Sequence, residues 1–580
     1  MGTRDTSRDP RGLKRLLARG KWFWDLIQAC SWLKRLVNYL LLNNAISQLR
    51  DRPEPYCNNW DYTTWDGLTN HRWSSRHLPP ASQEGLPDAA DVARDLFCRP
   101  ENGFRESKKS TLIFPYFAQW FVDGFLVGDS VDRRRNLSNH QIDLSQLYGP
   151  HAEVTDLIRE RKAGRLKSQQ IDGKGEYPPF LYDADGRLKP EYCVKRTGYP
   201  GFADIGMSQI FVEQLEGQVD AAQLDQPLRH AHTFPDGTVM PRHLVFNEIP
   251  RRQLLFEWEG DPEKVQHVFA IANDRGNSTI AFTIMSTLML REHNRIAGIL
   301  DQQYGWDDER TFQTTRNILT VILLKIVIEE YINHIAPYHF KFFVDPPSFF
   351  KPQPWKWQNW MTTEFQLLYR WHPMIPDKLE LGSRTIDSEQ SLWNPSLLVE
   401  EGLTKMFQHA AQQPAGEIGP RNTWQWLVEQ AEVPSIKMGR LCRLARYNDY
   451  REYCQVPRVT SFDQITGNAD VQQALEKHYG SVDNIEYFTG LFCEDVRENS
   501  ALAPLIGIMV AADAFSQALP NPLLQKRIWN QDTFSPRGWD MIHGETHTIE
   551  AIVKRNAPEL TNSERDALSI TMTRKDWKRI

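Results

Sequence analysis

Apolar residues recur every three to four positions over two long stretches, Thr279–Leu300 and Phe312–Ile335, and each pattern predicts a buried helix. The same spacing predicts a helix from Leu112 to about Val127, further helices over 423–445 and 469–515, and a shorter one from Glu364 to His372. Strand-like alternation is short and sparse. Residues 51–110 carry Pro and Asp clusters, and residues 170–270 are rich in Pro, Gly and Asp with few long apolar runs. Both stretches read as loops. There is no internal repeat and no low-complexity tract. The pattern is that of a mainly α-helical chain.

Residues 21–50 are different in kind. Trp22, Phe23, Trp24, Leu26, Trp32, Leu36 and Leu40 alternate with charges at Lys21, Asp25, Lys34 and Arg35. The uncharged run from Leu36 to Leu49 is too short to span a bilayer, which needs about 20 apolar residues. Amphipathic helices with several tryptophans lie in the membrane interface; a helix pair packed on a core carries the same signature. Residues 1–20 form a polar, arginine-rich lead without the apolar stretch of a secretory signal.

At 580 residues the chain could hold roughly three to four average domains, or one large one. A hydrophobic share of 41% and a charged share of 24% are those of a globular protein with a sizeable core. The net charge of 68 − 74 = −6 gives no basic excess, so no nucleic-acid partner is expected. The seven cysteines are scattered and form no CxxC pair. That argues against a disulfide framework and against a zinc or iron–sulfur site, and it suits a reducing, intracellular setting.

The chemistry concentrates at Tyr369-Arg370-Trp371-His372-Pro373. On a helix, Tyr369 and His372 would share a face. An imidazole can ligate haem iron, and a phenol on the same face would lie near the haem edge. Taken alone, the pair reads as an aromatic helix packed in a core with a hydrogen-bonded histidine.

Three further segments change that balance: Phe117 to Phe125, Leu290-Arg291-Glu292-His293-Asn294-Arg295, and Lys325 to Tyr331. Together with Tyr369–His372, in this order, they resemble the animal haem peroxidase superfamily, and within it the cyclooxygenase and fatty-acid dioxygenase branch. The resemblance runs from about Gly20 to about Lys554. It implies a single large haem peroxidase domain over 51–580, with 170–270 as a loop-rich insertion. It also implies monotopic membrane-binding helices over 21–50, in a simpler intracellular relative of bacterial kind, with a homodimer as a common state.

By position, the resemblance makes His372 the proximal ligand of a non-covalent haem b and Tyr369 the radical tyrosine. Asn448 matches an asparagine that hydrogen-bonds the proximal histidine, or else it is a loop residue. Gln119 matches the distal glutamine. Asp123 stands where the distal histidine belongs, and this predicts weak or altered peroxidase turnover. Arg275 matches a distal arginine, and Ser278 replaces the glutamate that a haem ester would require. Asp129, Ser130 and Asp132 read as a turn more than as a calcium loop.

On the substrate side, Tyr338 matches a tyrosine at the mouth of the lipid channel. Asn44 falls where a carboxylate-binding arginine would be, with Arg50 and Arg52 as replacements. Pro504 stands at the serine acetylated in cyclooxygenases, which argues against prostaglandin chemistry. The implied partners are an unsaturated fatty acid, O2, a hydroperoxide and a membrane surface. The implied activity is hydrogen abstraction by a Tyr369 radical, followed by trapping of O2. The alternatives are a peroxidase for small donors and a haem- or lipid-binding protein without turnover.

Overall fold

The structure, a computed structural model, describes residues 20–47, 64–101, 103–129, 132–150, 152–184, 189–192, 232–233, 239–240, 266–273 and 275–579. The basic lead before Gly20, Arg50, Arg52 and most of 193–265 lie outside the described residues.

The molecule is built mainly of helices, and its centre is a pair of them. α3 (Ile113–Val122) is apolar on every side, as a helix enclosed by others must be, and it packs on α4 (Ile280–Tyr304). α4 starts where the Thr279 hydroxyl accepts the Phe282 N–H, and it stops at Gly305 in the left-handed conformation.

The Leu290–Arg295 motif belongs to this core. Glu292 is fully buried and bound by Arg295, Arg555 and Asn556. Burial alone would raise its pKa, but the two guanidinium groups hold it down to about 2. His293 receives the Tyr148 hydroxyl at Nδ1 and donates Nε2–H to the Gly164 carbonyl, both at 2.8 Å. Burial pushes it down to about 3, so it is a neutral strut.

The second long periodic stretch is not one regular helix. α5 (Asp308–Lys325) passes into a π turn at Ile326–Ile332 and back to α over Asn333–Ile335. The stretch 423–445 behaves alike: a π turn at Val428–Glu432 leads into α7 (Val433–Leu441), where Pro434 has no N–H to continue the α ladder. The stretch 469–515 divides into helices at Ala469–Tyr479, Tyr487–Cys493 and Pro504–Ala518.

The helix expected to run to His372 also ends early. α6 covers Thr363–Leu368, and a 3-10 turn, His372–Met374, follows after a break. Within the stretch read as loop, strand β1 (Glu106–Thr111) pairs antiparallel with β2 (Pro414–Gly416). Gly416 passes so close to the Pro373 carbonyl that a Cβ there would collide with it. The β2 backbone therefore sets the height of the His372–Met374 turn.

At the N-terminus, α1 (Lys21–Ala29) and α2 (Ser31–Ser47) dock by one face. Trp24 and Ile27 are buried, Gln28 accepts the Lys341 N–H, and Arg35 makes two 2.9 Å bonds to Asp345. The other face is apolar and open: Trp22 and Trp32 are each 68% exposed, with Leu26, Leu36 and Leu40 beside them. Among the described residues, no helix is long and apolar enough to cross a membrane.

Candidate active site

The end of α3, the turn before α4, and the end of α6 converge on a small cleft of about 50 Å³ that opens to solvent. Asp123, Arg133, Arg275, Gln366, Tyr369 and Arg370 line it. Asp123 is the C-cap of α3 and is buried. Its Oδ1 accepts a 3.0 Å hydrogen bond from Arg275 Nη1, and its main-chain carbonyl accepts from Asn273. Gln119, one turn earlier, accepts the Thr279 hydroxyl at 3.1 Å, which ties α3 to the start of α4. The structure thus brings Asp123, Arg275 and Tyr369 to one cleft. Gln119 and His372 are held next to it by chain connectivity but do not line it.

Tyr369 terminates α6. Its ring stacks on Trp371 at 5.0 Å and meets Phe365 edge-on at 5.0 Å. Burial raises its phenol pKa well above the usual range, while the Tyr331 hydroxyl acts the other way. The two hydroxyls are near enough to affect each other's ionisation, though neither meets the geometry of a full hydrogen bond. Tyr331 comes from the first π turn. Phe114 stacks against both it and Trp371, 5.2 Å from each, and those two rings stack on one another at 6.2 Å. The sequence segment that ends at Tyr331 was visible, but nothing in its periodicity showed that a wider turn aims this phenol at Tyr369.

His372 does not share a helix face with Tyr369, because the backbone leaves the helix at Tyr369 (φ −96°, ψ 29°). The 3-10 turn sets the imidazole instead, with Nδ1 3.3 Å from Glu432 Oε1. This corrects the role expected of Asn448. The Asn448 amide is spent on Val459 and Asp483, where it clamps a loop. The partner of His372 is Glu432, the last residue of the second π turn. Sequence reasoning missed Glu432, and an acidic residue inside an apolar helical stretch was the available signal.

Arg370 was also missed. It lies between two aromatic residues, and its buried Nε has no hydrogen-bond partner. Its pKa is lowered to about 10, first by burial and then by the nearby Arg275 and Arg133, while Asp123 and Glu432 oppose this.

The remaining candidates lie elsewhere. Tyr338 is where α1 meets the body of the protein, 6.4 Å from the Trp24 ring, with the Arg497 guanidinium 5.8 Å from its centroid. Asn44 is exposed on α2, and among the described contacts none joins it to Tyr338. Asp132 is held by Arg134, and Asp129 lies 3.8 Å from Arg135. Ser130 lies outside the described residues.

The animal haem peroxidase family pattern matches residues 232–568, which include Tyr369 and His372 but not Gln119 or Asp123. Prostaglandin G/H synthase 1 of Mus musculus is 29% identical over 534 residues, covering 90% of this chain and 76% of its own length. Prostaglandin G/H synthase 2 of Bos taurus is 26% identical over 563 residues, covering 94% and 81%. The crystal structure of fatty acid alpha-dioxygenase from Oryza sativa superposes with a TM-score of 0.65 at 14% identity, covering 93% of each chain; at that identity the likeness speaks for the fold alone.

Proposed function

The chain belongs to the animal haem peroxidase family of oxidoreductases, and on that premise we propose that it oxygenates an unsaturated fatty acid through a radical on Tyr369. The observation that carries this reading is the setting of the Tyr369 phenol. Its hydroxyl oxygen is buried although the residue borders the cleft; its ring stacks on Trp371, the Tyr331 hydroxyl is near enough to affect its ionisation, and His372 follows three residues later. The similarity to two prostaglandin G/H synthases supports a lipid substrate.

The cofactor of this reading is haem b, bound without a covalent link, and the residues fit it. Glu432 engages Nδ1 of His372, so Nε2 would be the nitrogen that holds the iron. Arg370, whose buried Nε has no partner, would with Arg133 and Arg275 offer cations to the two carboxylates of a porphyrin. The Ser278 hydroxyl donates to the Arg275 carbonyl, so this position holds no carboxyl group that could form an ester. Bound haem supplies one-electron oxidising power.

The protein's own part is to hold and move one hydrogen atom. Burial keeps the Tyr369 phenol protonated, so its electron and proton leave together. The phenoxyl oxygen takes a hydrogen atom from an allylic C–H, which restores the phenol and leaves a carbon radical. O2 adds to that carbon, and the peroxyl radical takes the hydrogen atom back, which gives a lipid hydroperoxide and regenerates the Tyr369 radical.

The exposed faces of α1 and α2 would lie in the lipid interface and deliver the fatty acid near Tyr338. There Arg497 supplies a cation for its carboxylate in place of Asn44.

The test is oxygen uptake by haem-loaded protein given linoleate and a trace of hydroperoxide, beside Tyr369→Phe. Uptake that disappears in the variant supports the reading. Uptake that persists in Tyr369→Phe overturns it. So does a protein with a normal haem spectrum and no uptake, and that outcome favours a peroxidase for small donors.

A further inference from the structure

The geometry points to Glu432 as a positioning residue that gives His372 anionic character, through a hydrogen bond from the imidazole N–H to a carboxylate rather than to a neutral group. This rests on the reading of His372 as the iron ligand.

Three observations carry the inference. The Nδ1–Oε1 distance is 3.3 Å, and Glu432 is 2% exposed at its side chain, so water does not compete for the bond. The same oxygen accepts the Thr423 hydroxyl at 2.7 Å, so the carboxyl cannot swing away. Thr423 is itself fixed, because its N–H bonds to Phe97 and its carbonyl receives the Arg99 N–H. Glu432 is also delivered by a π turn, a costly local conformation that recurs at functional sites.

A carboxylate drawing on the Nδ1 proton makes Nε2 a stronger electron donor. Toward a metal, that favours the higher oxidation state. Thr423 acts against this effect, because its hydroxyl shares the oxygen that His372 uses. The two residues therefore predict shifts of opposite sign. A purely structural role for Glu432 would make both variants loosen the ligand in the same direction.

The experiment uses the haem-loaded full chain, Glu432→Gln and Thr423→Val. Two quantities are read: the iron–histidine stretching frequency of the reduced form by resonance Raman, and the midpoint potential of the iron. In Glu432→Gln the frequency should fall and the potential should rise. In Thr423→Val the frequency should rise and the potential should fall.

An unchanged potential and frequency in Glu432→Gln, or a Thr423→Val shift of the same sign as that of Glu432→Gln, overturns the inference. If Glu432→Gln fails to fold or to take up haem, Thr423→Val decides alone: a rise in frequency supports the inference, and no change or a fall overturns it. A wild-type spectrum without a histidine–iron band overturns the ligand assignment and the inference together. A wild type that has the band and an unresponsive Glu432→Gln overturns the inference alone.

Discussion

Arg275 donates to Oδ1 of Asp123 at 3.0 Å, across the cleft that Tyr369 lines. The carboxyl at the end of α3 is thereby an acceptor bound to a cation. General acid–base work on a peroxide needs a group that also carries a proton. Asp123→His supplies one at the same helical position. It should raise peroxide-driven oxidation of a small phenolic donor by ~100-fold, the low end of what such a group contributes. Steady-state turnover with that donor checks this; no gain in a protein with a normal haem spectrum would count against a distal role for Asp123.

Tyr331 is placed to ease oxidation of Tyr369, since its hydroxyl lowers the phenol pKa that burial raises. Tyr331→Phe removes that influence. Oxygen uptake should fall, with the haem spectrum unchanged and the tyrosyl signal altered in electron paramagnetic resonance. An unchanged rate and signal would show that the two phenols act independently.

Arg370→Met should weaken haem binding by roughly 10- to 100-fold, as for loss of a charged hydrogen bond worth about 1.5–3 kcal/mol. Titration of the Soret band gives the affinity. Haem dimethyl ester, which has no free carboxylates, should bind the wild type and the variant alike. If the variant still prefers the free acid as strongly as the wild type does, Arg370 does not hold a propionate.

Acid should unfold the protein from below pH 6.5. His293 is pushed down to about 3, and His140 and His547 to about 4, each first by burial. A folded pKa below the unfolded one means that the unfolded chain takes the proton first, so this stability is complete above 6.5 and is lost as pH falls. Each histidine contributes about 1.4 kcal/mol per pH unit within its window. Between pH 6 and 4 the three together should therefore lower stability by up to ~4 kcal/mol per unit. Glu292, held down to about 2, adds its loss only below 4.5. Urea unfolding across pH 7.5 to 4.5 measures the slope, and a flat profile would contradict the neutral assignments.

Removing the open apolar face of α1 and α2 should release the protein from lipid without unfolding it. Trp22, Trp32 and Leu36 are exposed, so their replacement by serine costs no core packing. Each contributes about 2 kcal/mol on burial in an apolar phase, so vesicle co-sedimentation of the triple variant should weaken at least ~100-fold with an unchanged melting temperature. Equal binding by both proteins would place the lipid contact elsewhere.

The helical class and the positions of the major helices were legible in the sequence, because buried stretches such as Ile280–Tyr304 keep a strict apolar repeat. Local departures were not. Periodicity predicted a helix through His372, but Tyr369 leaves it, and only the contact of Gly416 with Pro373 explains where the imidazole then sits. Asn448 was assigned from its motif, yet its amide is consumed by Val459 and Asp483, a tertiary fact that local sequence does not encode. Arg370 lies inside the Tyr369–Pro373 motif, but a lone charge among aromatics reveals the burial of its Nε only once the neighbours are in place.

The two π turns have a consequence for evolutionary comparison. A π turn is a helix that carries one residue more than its α ladder needs, and here each of the two wide turns contains a residue of the site, Tyr331 in one and Glu432 in the other. A residue-by-residue alignment without a gap at these turns slips by about 100° of helical rotation, one residue of an α-helix, and pairs the wrong side chains. A relative with a plain α-helix at either turn would differ from this chain there by a single-residue deletion rather than by a substitution.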